Sequence, residues 1–163
     1  KTLFFVKSSL ISLYLALTIP LPFVSIDNLK IFSIISFFLG LYLIINITND
    51  YVETCSNKIS YNSGIISKTL GRKNWEISWK DIKLIRSLPT SQGSKVYYFH
   101  TNEGDNFLIP QRLENFDKFL SIVFKNTGIS TKEISYISPL WTYKVLTVIS
   151  IVMVIGELFA FLN

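Results

Sequence analysis

The residue types that ordinarily carry catalysis are scarce in this chain of 163 residues: it has one histidine, His100, and one cysteine, Cys55. That excludes a multi-histidine or cysteine-based zinc site and an internal disulfide, and leaves any histidine-dependent triad resting on one residue. His100 stands in an aromatic run and reads as a strand residue packed among Tyr97, Tyr98 and Phe99. Cys55 reads as a small buried hydrophobe, in keeping with a reducing compartment. Neither G-x-G-x-x-G nor G-x-x-x-x-G-K-[ST] occurs, so no phosphate loop is predicted. Glu103 and Asp105 flank a turn, where solvation is the ordinary explanation of a carboxylate pair. The sequence therefore predicts no catalytic residue, no metal, no cofactor and no enzyme.

The polar residues that remain suggest contact rather than reaction. Lys68, Arg72, Lys73, Lys80, Lys83 and Arg86 form a basic set. Such a set can press one edge of a domain against anionic headgroups, at about 1 kcal/mol per cation near the surface, or be a solvated face. The expected partners are membrane lipids and a membrane-protein complex. Nucleic acid is not expected, because the block 50–144 holds 13 Lys+Arg against 9 Asp+Glu and no groove-reading or base-stacking motif appears. Glu157 and Asn46 are polar residues inside or at the end of apolar stretches. Glu157 can snorkel to water or pair with a neighbouring helix; Asn46 poses the same choice near the end of its stretch.

Three apolar stretches position these groups. Residues 8–26 and 31–49 carry no charge at all, and 145–162 carries only Glu157. Each is long enough to cross the roughly 30 Å hydrocarbon core as a helix. The first is expected as a retained span, since Pro20-Leu21-Pro22-Phe23 offers no small-x-small cleavage site. The link Asp27 to Lys30 predicts an antiparallel hairpin. The basic excess predicts that the N-terminus and polar block are cytoplasmic and the C-terminus outside. Tyr136, Trp141, Tyr143 and Lys144 read as a headgroup-level cluster, and Gly40 and Gly156 as candidates for close helix approach.

Between the spans the hydrophobic period changes. Strands are predicted over Lys58–Tyr61, Ile65–Leu70, Trp75–Trp79, Ile82–Leu88, Lys95–Thr101 and Asn106–Ile109, with turns at Asn62-Ser63-Gly64, Gly71-Arg72-Lys73 and Asn102 to Asp105. Trp75, Ile77 and Trp79 share one strand face. Leu113, Phe116, Phe119, Leu120, Val123 and Phe124 then recur at helical spacing from Arg112 to Lys125, with Gly128 as a stop.

The run Asn74-Trp75-Glu76-Ile77-Ser78-Trp79-Lys80-Asp81-Ile82 resembles the Ile-x-Trp-x-Asp-Ile signature of bacterial pleckstrin-homology-like (PH-like) domains. Gly64-Ile65, the hairpin from Asn102 to Pro110 and the helix from Arg112 to Lys125 occupy the places that family assigns them. The resemblance implies a non-enzymatic fold for lipid or protein contact. Asn62-Ser63-Gly64 lacks the cations of a phosphoinositide-binding loop. The expected class is a membrane-anchored α+β protein: a transmembrane hairpin over 1–49, a PH-like antiparallel barrel capped by one amphipathic helix over 50–132, and a C-terminal span over 133–163. Its expected role is an accessory, scaffold or assembly component of a membrane complex. The alternative is a transport or lipid-handling subunit with Glu157 and Asn46 lining a polar path.

Overall fold

The computed structural model describes residues 1–162; Asn163, the last residue of the expected C-terminal unit, lies outside them. Helix α1 (Phe4–Thr18) stops just before Pro20, and Pro20 and Pro22 then open a single turn, α2 (Leu21–Val24). Proline lacks the N–H that would continue the first helix. Helix α3 (Asp27–Ile47) returns. The predicted link Asp27 to Lys30 is thus the first turn of α3, and the reversal falls on Ser25 and Ile26, where the Ser25 and Ser33 hydroxyls meet at 2.8 Å. The third long helix is α6 (Leu140–Leu162). All three long stretches are long and apolar enough to cross a bilayer.

Helices α1 and α6 run parallel: Ser8 Oγ lies 3.5 Å from Thr147 Oγ1 near their starts, and Phe23 of α2, just beyond α1, stacks on Phe161 near the end of α6. Their seam is made of small residues, with Ser9, Ser12 and Ala16 of α1 and Ser150 of α6 all buried. The serine hydroxyls turn back onto carbonyls of their own helices, which satisfies them without water. Helix α3 runs antiparallel to α1, and Tyr14 donates its hydroxyl to the Phe37 carbonyl at 2.9 Å. A Cβ at Gly40 would collide with the Tyr14 ring, whereas one at Gly156 would meet open space. Close approach therefore uses Gly40 but not Gly156.

The polar block holds two antiparallel sheets of three strands: β1 (Tyr51–Thr54), β2 (Lys58–Asn62) and β3 (Trp75–Ser78); then β4 (Ile82–Pro89), β5 (Lys95–Thr101) and β6 (Asn106–Leu108). Strand β1 had no clear alternation to announce it. Trp79 to Asp81 forms a 3₁₀ turn between the sheets, so Trp79 leaves the strand but remains buried, its indole N–H donating to the Cys55 carbonyl at 2.9 Å. Helix α5 (Phe116–Thr127) covers the core through Phe116, Phe119, Leu120 and Val123.

Other expectations are corrected as well. Residues Ile65–Thr69 are helical (α4) instead of a strand, because β3 pairs directly with β2 and the Ser67 hydroxyl donates to the Ile47 carbonyl at 3.3 Å, docking this turn on the end of α3. Helix α5 begins at Phe116 instead of Arg112. Its expected first turn is taken by the N-terminal segment, with Leu3 N–H donating to the Arg112 carbonyl at 2.7 Å and Glu114 N–H to the Lys1 carbonyl at 2.9 Å, and Asn115 then breaks the path at φ 53°. Leu113 is buried as part of that extended segment, while Phe124 is exposed. Cys55 is exposed at the β1–β2 turn. Tyr136, partly buried, packs against Phe116 of the core with ring centroids 4.9 Å apart, whereas Trp141 is exposed.

Candidate functional site at the junction of helices and sheets

Asp50, two residues after the cap of α3, organises the junction. Its carboxylate accepts hydrogen bonds from the Tyr61 hydroxyl at 2.7 Å and the Gly64 N–H at 3.3 Å, and pairs with the Arg72 guanidinium. Its carbonyl accepts the Thr2 N–H at 3.0 Å and the Thr2 hydroxyl at 3.1 Å. One buried residue thus ties together α3, β2, α4 and the start of α1. Burial and the bond to Asp50 push the Tyr61 phenol up to about 12. Gln111 supports the neighbouring segment from a buried position, donating to the carbonyls of Lys95 at 3.0 Å and Ser135 at 2.7 Å.

These residues border a cleft of about 450 Å³ between the sheets and the starts and ends of the apolar helices. Arg72, Lys73 and Arg112 of the polar block line it together with Val6 and Leu10 of α1 and Ile47 of α3. Among the described residues Lys73 and Arg112 have no ion-pair partner.

The six basic residues of the sequence do not gather in one place. Lys68, Arg72 and Lys73 sit on or just after α4, next to the end of α3. Lys80 and Lys83 lie around the 3₁₀ turn and the bulge at the start of β4, level with Thr101 and His100 at the far end of β5. That is roughly 15 Å along the strand from Val96, which borders the cleft. Arg86 is between them, opposite Tyr98 on the outer face. Arg112 joins the nearer group. Its position beside the turned-in N-terminal segment is a long-range pairing that no local pattern announces.

His100 points to the face opposite Tyr97 and Phe99, its Nδ1 3.0 Å from Asn106 Oδ1 across the strands. Asn46 donates to the Tyr42 carbonyl of its own helix at 2.9 Å. Glu157 follows Thr147, Ser150 and Val154 on the α6 face turned to α1, and its Oε2 is enclosed without a hydrogen-bond partner among the described residues. The two polar residues therefore do not meet.

No family model matches the chain, and no solved structure matches it. An uncharacterized protein of Synechocystis sp. is similar, 29% identical over 147 residues that cover 86% of this chain and 74% of the relative. A match of that length is not confined to the apolar helices and includes the polar block.

Proposed function

We propose that this chain is a non-catalytic, membrane-anchored interaction module of PH-like type, an accessory, scaffold or assembly component of a membrane complex whose basic edge contacts anionic headgroups. The observation that carries the reading is α4. Ile65 and Leu70 are 80% and 68% exposed beside Lys68, Arg72 and Lys73, directly against the end of an apolar helix. Exposed aliphatic residues next to cations at the end of a span suit the headgroup layer, where chains take the apolar groups and phosphates the charges. Two three-stranded sheets followed by one covering helix support the PH-like assignment of the polar block. The basic excess supports a cytoplasmic block and N-terminus with the C-terminus outside.

Purification of the full chain in mild detergent, with identification of what accompanies it, tests this reading. A membrane protein in stoichiometric amount is expected, and it should be reduced by Lys68→Glu with Lys73→Glu. Solitary purification, with deletion complementation indifferent to that charge reversal, overturns the reading. The enclosed Glu157 oxygen favours a second reading, a transport or lipid-handling subunit, in which Glu157→Gln abolishes complementation in a folded protein.

A further inference from the structure

We propose that the junction cleft is a binding site for one anionic glycerophospholipid drawn from the surrounding leaflet, an inference that rests on the membrane anchoring argued above. Two unlike sets of side chains, one charged and one apolar, line the same cleft of about 450 Å³. The polar side presents three cations, Arg72, Lys73 and Arg112, against the one carboxylate of Asp50. Arg72 is already engaged by Asp50, so the uncompensated charge rests on Lys73 and Arg112. A phosphate diester supplies acceptor oxygens for both, in charge-assisted bonds that an arginine fork and a lysine ammonium each make well. A lipid with no net charge would leave both of those positive charges uncompensated, whereas a singly charged anionic lipid offsets one of them.

The apolar side decides between a lipid and a free phosphate. Val6 and Leu10 lie within the first two turns of α1, and Ile47 is the last residue of α3, so the apolar lining belongs to the ends of the two helices that adjoin the polar block. Leu10 is 40% exposed. A soluble anion would have no use for such a wall. The volume lies toward the lower part of the range for small-molecule sites, which suits a headgroup and glycerol with the acyl chains left along α1 and α3. The charged end and the apolar end are also in the order that a leaflet lipid presents: phosphate toward the polar block, chains toward the helices.

Native mass spectrometry of the full chain, extracted from bilayers containing equal phosphatidylglycerol and phosphatidylcholine, tests the site. One phosphatidylglycerol per chain should survive extraction. Lys73→Gln with Arg112→Gln should lower that retention about ten-fold, equivalent to about 1.4 kcal/mol, while Lys80→Gln with Lys83→Gln should leave it unchanged. Leu10→Trp, which fills the apolar wall and keeps every cation, should lower it as well and serves if the double variant fails to fold. Glycerol 3-phosphate at millimolar concentration should not displace the lipid. Equal retention of the two lipids, retention unaffected by Leu10→Trp and by the double variant, or displacement by glycerol 3-phosphate would overturn the site. A co-purifying protein partner that persists in those cases would leave the proposed function standing.

Discussion

The two ends of the sheet pair are held by different physics. Near Lys80, Trp79 and Ile82 are buried with Ile59 and Ile77 in the common core, and the cations point away from it. Near Arg72, the same chain is held by Asp50, which gathers a phenol, a backbone N–H, a guanidinium and the N-terminal segment around an open cleft. Apolar burial is indifferent to charge and pH, whereas a hub built on one carboxylate depends on both. An end designed only to close a sheet needs no such hub. The polar end therefore reads as the working end, and the apolar end as its support.

The largest effect is expected at the supporting end. Trp79→Ala should lower unfolding free energy by about 3–5 kcal/mol, read from the denaturation midpoint of the polar block, because it removes a buried ring and its indole hydrogen bond. Asp50→Ala should cost about 1–3 kcal/mol, since its partners Tyr61 and Gly64 lose their acceptor. Protease cleavage should then increase near residues 62–74 and the N-terminal segment and spare the β4–β5 sheet; uniform cleavage would erase the contrast between the ends.

A pH titration sharpens the same comparison. With the folded Tyr61 phenol near 12 and the unfolded one near 10, its contribution to stability is fully present below pH 10 and is lost as pH rises through 12. Tyr61→Phe should remove that alkaline slope, and ultraviolet titration should show one fewer late-ionising tyrosine. The smallest effect belongs to Lys80→Glu with Lys83→Glu, exposed and without ion-pair partners among the described residues, which should change stability by no more than about 0.5 kcal/mol.

Much of this was legible in the residues. The three apolar stretches, the Trp75–Ile77 face and the strand Lys95–Thr101 follow from length and alternation, because each depends on neighbours in sequence. Ile65–Leu70 was not, since its alternating apolar residues serve an exposed turn docked by Ser67 on α3. The start of α5 failed for a related reason: Arg112 and Glu114 lend their backbone to residues more than a hundred positions away. Half of the basic set belongs at the junction, but Asp50 and Arg112, which complete that site, are brought there by tertiary pairing. The α1 seam left a weaker signal, Ser9, Ser12 and Ala16 recurring at i, i+3 and i+7, which marks small residues on one face.

In the proposed function the Asp50 end meets the headgroups and the Lys80 end does not. Spin labels at Lys73→Cys and at Lys83→Cys, each in full-length protein carrying Cys55→Ser and reconstituted in anionic bilayers, test it by accessibility to a lipid-anchored and to a water-soluble relaxation agent. The label at position 73 should relax with the lipid-anchored agent and the label at position 83 with the soluble one; equal responses at both positions, or the reverse order, would contradict the account.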